Sequence, residues 1–299
     1  MRTAVADHAR RLLRAAPVTP AYRAALTAAL RLPGNVLSDA PDARWARLVW
    51  TCRAVVEGDN CRGDDDRTAR VAAAVEVFMV ALDVLDDTED GEVTLLQAEL
   101  GAMCALNVST GLLFIAQQGL LAAGGGTLAR LLLDAGLRAC GGQHADLTAA
   151  PGRPIELDEA LTVTAGKSAS LVAAICQIGS ACGGADAQTQ DLYARFGWNL
   201  GMVAQLVNDL KALQPEATGK TDIALGRPTL PLAHAAQLAS LAGEASAEAS
   251  IRATVWTDGS AHLAWAVAET YRGHALALIP HMTAARAGGA ALAALLPCL

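Results

Sequence analysis

Four aspartates, at 83, 86, 87 and 90, close a stretch that is otherwise almost wholly apolar, VAAAVEVFMVALDVLDDTED at 71–90. Spacings of three and four put such side chains on one face of a helix. Carboxylates crowded on one stripe repel strongly unless water or cations screen them, and their hard oxygens suit Mg2+. Asp86, Asp87 and Asp90, spaced DDxxD, are therefore candidate metal ligands. The competing reading is a solvated helix end without a role. The depth of the apolar run before the acids tilts the balance toward metal.

A second group lies in FGWNLGMVAQLVNDLKALQPEATGKTDIALGRPTLPLAHA, 196–235. Gly201, Gln205 and Asp209 share a helical face with Asn208 beside them, and Lys220, Asp222, Arg227 and TLPL follow. Other polar clusters read as structural. Asp64, Asp65 and Asp66 suit a solvated loop, with Asp66 as a helix N-cap. His144 and His234 read as packed or exposed histidines, and Tyr271 and Arg272 as part of an ordinary C-terminal helix.

The elements that must carry these residues are helical. The chain is 299 residues long, 53% hydrophobic and 18% charged, and alanine and leucine outweigh the β-branched and aromatic residues. That balance favours helix over sheet. Breakers fall at RLPGN (31–35), GDNCRGDDDR (58–67), GGG (124–126), PGRPIELD (151–158) and QPEATGK (214–220), with helical periodicity between them. They predict an all-α protein of about ten helices around a common core. The length suggests two domains, but no polar linker divides the chain, so a single domain over 1–299 is expected. No run reaches the roughly 18 uninterrupted apolar residues of a membrane span. The first residues read as an amphipathic helix rather than a signal peptide. Seven cysteines, with no CxxC pair, read as reduced core residues of a cytoplasmic protein. A formal charge of −7 argues against nucleic acid and anionic membrane as partners. It would also repel an anionic substrate unless metal ions stood between.

The 196–235 segment resembles the second aspartate region of the trans-isoprenyl diphosphate synthase superfamily, where a Gln and an acidic turn precede Gly-Lys and Thr-Leu-Pro elements. DDTED is similar to that family's first aspartate-rich motif. GGQHADL at 141–147 and LTVTAGKSASLVAAICQIGSACGGA at 161–185 resemble its intervening helices, with Lys167 at the family's diphosphate-contacting lysine. The pieces stand in the family's order.

The resemblance implies a single-domain class I isoprenoid-synthase helical bundle with a deep central cavity. Two acidic faces would oppose each other at its mouth, Asp86, Asp87 and Asp90 on one and Asn208, Asp209 and Glu216 on the other. Mg2+, about three ions, would bridge them to an allylic prenyl diphosphate, with catalysis depending on Asp86, Asp87 and Asp209. Gln205, Lys167, Lys220 and Arg227 would hold the substrate. Neutralising its charge makes diphosphate a leaving group, and a dry cavity protects the carbocation. The residues four and five places before the aspartate pair would set the depth open to the prenyl tail. Here they are Leu82 and Ala81, neither aromatic, so Phe78 becomes the floor and a farnesyl or geranylgeranyl chain is expected. The resemblance also implies a homodimer.

The departures from the family bear on the reaction. Where the family holds isopentenyl diphosphate with a Gly-Gly-Lys-x-x-Arg-Pro element, this chain has PDARWARLVW; Arg44 and Arg47 keep the basic spacing, but the glycines and proline are gone. DGEVTLLQAELG lacks the arginines that follow the first motif, and Leu85 replaces a His. The second motif reads Asn208-Asp209-Leu210-Lys211-Ala212, and NDLKALQPE partly imitates the Asn-Asp metal motif of class I terpene cyclases. Cyclisation of the ionised substrate is the leading expectation on these grounds. Prenyl transfer follows, to isopentenyl diphosphate or to an unusual acceptor such as a peptide. A non-catalytic partner subunit comes last.

Overall fold

Alanine- and leucine-rich periodicity becomes helix over most of the described residues. The computed structural model describes residues 1–58, 65–149, 156–214, 227, 229–242, 254–283 and 286–297. In chain order these hold α1 (Arg2–Ala15), α2 (Pro20–Leu30), α3 (Arg44–Glu57), α4 (Asp65–Glu89), α5 (Leu95–Leu100) and α6 (Ala102–Thr148). There follow α7 (Leu157–Thr164), a π turn (Ala165–Ala169), α8 (Ser170–Cys182), α9 (Ala187–Ala212), α10 (Leu230–Ala242), α11 (Ser260–Met282) and α12 (Arg286–Ala293). No strand occurs among the described residues.

Two compact units are distinguished, one of Met1–Leu133 with Ile175–Gln190, the other of Asp134–Ala174 with Asp191–Leu299. The divisions fall inside α6, α8 and α9 rather than at a linker.

In the first unit α4 is the central element. Every residue from Val71 to Ala81 is buried, and a helix apolar on all sides must be enclosed; α1, α2 and α3 pack on it. Its start differs from expectation. The helix begins at Asp65, so Asp66 lies in the first turn instead of capping it. There its carboxylate meets His8 at 3.0 Å and Arg70 at 3.2 Å, while Asp65 pairs with Arg53 at 2.8 Å. The GGG break is real but local: Gly125 takes φ 77 and ψ 179, a kink that α6 survives. Pro20 opens α2 and Thr19 caps it by accepting the Tyr22 N–H.

One carboxylate is buried inside α4. Glu76 is 4% exposed, and its Oε1 accepts the Ala46 N–H at 2.7 Å, three residues into α3. The residue before α3, Ala43, has no side-chain oxygen and sits at φ 48, so Glu76 serves as the cap from a neighbouring helix. Burial raises its pKa to about 7 against the pull of the Ala46 amide, Arg44 and the Trp45 amide. A carboxyl that holds its proton more tightly when folded stabilises the fold fully only below its ordinary value of 4.5, and that stability is lost as pH rises through about 7. Glu76→Gln, which keeps an acceptor but no charge, is therefore expected to be more stable than the parent at pH 8 by on the order of 3 kcal/mol. The gain should vanish near pH 4.5, and denaturant midpoints at the two pH values measure it. A variant weaker at pH 8 would show that the ionised cap outweighs its burial.

The cysteines divide by face. Cys52, Cys176 and Cys182 are buried in the first unit, but Cys104 and Cys140 are exposed on α6, unlike the core positions expected from their apolar surroundings. Cys61 and Cys298 lie outside the described residues. By length and mean hydropathy of 1.3, Ala102–Thr148 and Leu157–Cys182 could each cross a bilayer, although neither holds 18 uninterrupted apolar residues. Their most apolar windows are 44% and 56% buried in the protein. Polar residues inside them have packing roles, as where fully buried Ser109 donates to the Ala81 carbonyl at 2.7 Å.

Candidate active site

The acid end of α4 is built by its exit. Asp83, Asp86 and Asp87 are helical, and Asp90 lies one residue past the helix, its N–H still bonded to the Asp86 carbonyl at 2.9 Å. Gly91, at φ 65, turns the chain, and Glu92 N–H returns to the Asp87 carbonyl at 2.8 Å. A capping box between Thr94 and Gln97 starts α5, and Gln97 Nε2 donates to Thr88 Oγ1 at 3.0 Å, tying α5 to this turn. The carboxyl of Asp87 is pushed up to about 6 by burial and by Glu92, Asp83 and Asp86 around it. The half-exposed Asp83 carboxyl is held above its ordinary value as well, by the protein packed around it and by Asp86, against the pull of Arg44 at 3.9 Å. These are crowded acids that would gain from a cation.

Among the described residues, no three acidic, histidine or cysteine side chains converge into a closed metal cage. The set still fits Mg2+, which keeps several waters and commonly takes one or two carboxylates together with substrate phosphate oxygens. Further down α4, Ala81 and Phe78 are buried at 0% and 4% exposure, with Leu82 partly buried.

In the second unit the central piece is the π turn, a form that often marks functional positions. It is pinched between two glycines. A Cβ on Gly142 of α6 would lie 2.5 Å from the Lys167 amide nitrogen, and one on Gly201 of α9 would lie 2.7 Å from Ala169 Cα. Only hydrogen at both positions lets the backbones come so close. The approach aligns a chain of hydrogen bonds: Ser168 Oγ donates to Gln205 Oε1 at 2.7 Å, and Gln205 Nε2 donates to Asp209 Oδ1 at 2.8 Å. Asp209 is 4% exposed. On the other side of the turn, Lys167 Nζ and Arg227 Nη1 both reach Asp146 Oδ2, at 3.3 and 3.1 Å. Two cations thus share one carboxylate, and Arg227 and Asp146 are both nearly buried.

The sequence-predicted residues therefore separate into groups. Lys167, Gln205, Asp209 and Arg227 come together in the second unit, whereas Asn208, beside Asp209, is exposed. Glu216 and Lys220 lie outside the described residues. Arg44 and Arg47, expected to hold a second diphosphate, each face an acid, Asp83 at 3.9 Å and Asp42 at 3.8 Å. Sequence reasoning missed Asp146 and Ser168, which link the predicted residues, and Gln143. The Gln143 amide, three residues before Asp146, is buried, and neither of its atoms has a hydrogen-bond partner among the described residues, an arrangement uncommon in folded proteins. The bland readings of the histidines fit: His234 Nδ1 lies 2.9 Å from Ser260 Oγ, and His144 is exposed. Arg272 pairs with Glu269 at 3.7 Å.

Residues 41–260 match the sequence profile of the polyprenyl synthetase family. This chain belongs to that family. The matched span takes in Arg44, Arg47, the acid end of α4, the π turn, α9 and Arg227. The (2E,6E)-farnesyl diphosphate synthase of Mycobacterium tuberculosis is 32% identical over 112 residues, 36% of this chain and 31% of the relative, so the match spans about a third of that relative's length. The geranylgeranyl diphosphate synthase of the same organism is 29% identical over 210 residues, 62% of this chain and 56% of its own. The fold is shared with the polyprenyl synthetase of Streptomyces coelicolor A3(2), at a TM-score of 0.80 and 22% identity over 98% of this chain and 96% of that one. The geranylgeranyl pyrophosphate synthase of Lactobacillus brevis ATCC 367 gives 0.81 and 20% over 98% and 94%.

Proposed function

We propose that this protein is a Mg2+-dependent prenyltransferase that ionises an allylic diphosphate, farnesyl or geranylgeranyl, and passes the prenyl carbon to an acceptor. It would act as one isoprenoid synthase domain over 1–299, in a cytoplasmic homodimer. The observation that carries the reading is the convergence of Lys167 and Arg227 on Asp146 beside the Ser168–Gln205–Asp209 chain. Family relatives named as farnesyl and geranylgeranyl diphosphate synthases support transfer over the cyclisation that the sequence put first. The 4% aromatic content also supports it, since rings are a common means of stabilising migrating cations. Cyclisation is a second reading, favoured by the NDLKALQPE segment. An intact DDTED speaks against a non-catalytic subunit. The exposed stripe of Met103, Leu106, Phe114 and Leu121 on α6 is the face proposed for the homodimer.

The chemistry that Mg2+ would supply when bound is charge neutralisation of the diphosphate leaving group. Asp86, Asp87 and Asp90, and separately Asn208, Asp209 and Glu216, are the proposed ligands of the metal. Lys167 and Arg227, with Lys220, supply fixed positive charge to the leaving group. Gln205, held by Ser168, fixes the Asp209 carboxylate so that little reorganisation accompanies reaction.

Incubation with Mg2+ and geranyl, farnesyl or geranylgeranyl diphosphate, with and without isopentenyl diphosphate, followed by mass spectrometry, tests the proposal. The expected result is metal-dependent loss of the allylic diphosphate with a prenylated product. A cyclic hydrocarbon from the allylic diphosphate alone would transfer the assignment to cyclisation. No turnover of any allylic diphosphate would end both readings. The tail is proposed to run along α4 toward Phe78. Ala81→Phe is then expected to shift preference to shorter diphosphates, and competition between chain lengths measures this. A ring at this fully buried position also overpacks the helix, costing about 1–3 kcal/mol.

A further inference from the structure

The head of α3 is already supplied with anions. Arg44 reaches Asp83 at 3.9 Å while its guanidinium lies 4.7 Å from the centre of the Trp45 ring, and Arg47 reaches Asp42 at 3.8 Å. A helix N-terminus can hold a phosphate through its free amides, but here Glu76 Oε1 accepts the Ala46 N–H at 2.7 Å. Asp83 and Asp42 thus each already face one guanidinium and Glu76 occupies the Ala46 amide, so these groups together offer a second diphosphate no net positive charge. Asp83 also belongs to the acid stripe of α4, and its charge points the same way as those of Asp86 and Asp87.

Resting on the prenyltransferase reading, we infer that the acceptor of this enzyme carries no diphosphate: it is an uncharged nucleophile, and Asp83 and Asp42 are the residues that exclude a second diphosphate. The half-exposed pairs contribute little to stability. Their effect is on selectivity, because a polyanion arriving at α3 must displace two carboxylates and then sit beside them. An uncharged acceptor meets no such repulsion. In the transfer, the C1–O bond of the allylic diphosphate breaks and its electron pair leaves with diphosphate. The acceptor's π or lone pair forms the new bond to C1, and the acceptor gives up one proton to a diphosphate oxygen or to water.

Calorimetric titration in Mg2+ separates this inference from the reading beneath it. The first arm titrates geranylgeranyl S-thiolodiphosphate, an unreactive allylic analogue, into the parent protein. The second titrates isopentenyl diphosphate into the analogue-saturated protein, and into the Asp42→Asn/Asp83→Asn double variant prepared the same way. The analogue is expected to bind, and isopentenyl diphosphate to give no saturable heat with the parent. In the double variant its affinity should rise by about tenfold or more, the scale of removing like charges at close range. Saturable binding of isopentenyl diphosphate to the parent, or a product five carbons longer that still carries diphosphate, would overturn the inference while leaving the ionisation reading intact. A double variant that gains no affinity would also overturn it, since the two acids would then not be the excluding groups. Failure of the analogue itself to bind would remove the prenyltransferase reading and the inference with it.

Discussion

With Asp87 changed to Ala, release of diphosphate from an allylic substrate is expected to fall by about 10²–10³-fold, the usual loss when one preorganised electrostatic contact is removed. Stability should move the other way. Asp87 is crowded by Glu92, Asp83 and Asp86, and its carboxyl is raised to about 6 from an ordinary 3.8. The folded protein therefore loses stability as pH rises through that interval, and an alanine escapes the loss. The variant should melt at or above the parent temperature at pH 7.5 while turning over far more slowly. Asp86→Ala is expected to match its loss of activity. Rate and thermal midpoint measured on the same preparation give the answer, and a fully active Asp86→Ala/Asp87→Ala double variant would remove the metal site from α4.

The second large effect comes from a single methyl group. Gly142→Ala would place a Cβ 2.5 Å from the Lys167 amide nitrogen and 3.0 Å from the Gly166 carbonyl carbon, both backbone atoms that cannot swing aside. The π turn must then move, and Lys167 and Ser168 move with it. A displacement of about 1 Å at catalytic groups can cost about 10²-fold, and the overpacking itself about 1–3 kcal/mol. Gly141→Ala is the control, because a Cβ there meets nothing within 4 Å. That change should leave activity alone and favour the helix slightly. Equal activity in the two variants would show that the Gly142 contact does not position the turn.

These two sites differ in how far the sequence announces them. The acid stripe and the Gln205–Asp209 bond are contacts within one helix, so a spacing of three or four residues suffices to find them. Asp146, Lys167 and Arg227 meet across elements, and separations of 21 and 81 residues carry no periodic signal. The π turn has no composition of its own; AGKSA reads as ordinary helix. Glu76 did leave a signal, being the one charged residue in a ten-residue apolar run, since a carboxylate so placed must find a partner or hold its proton. The helical class was legible because so few segments alternate with the period of a strand. The GGG kink was half legible: three glycines permit a break, but neighbouring helices decide whether the helix resumes after it.

The division of the cysteines by face gives the protein an internal clock. Cys52, Cys176 and Cys182 sit behind the packed helices of the first unit, and burial pushes the Cys182 thiol up to about 11 and Cys176 higher than usual as well. A maleimide reagent attacks thiolates, so in a Cys61→Ser/Cys298→Ser background it should consume Cys104 and Cys140 at once and reach Cys52, Cys176 and Cys182 only when the first unit opens. The lag between the two phases would then report how often that unit breathes, and a prenyl diphosphate analogue that steadies it would lengthen the lag without any chemistry at the thiols themselves.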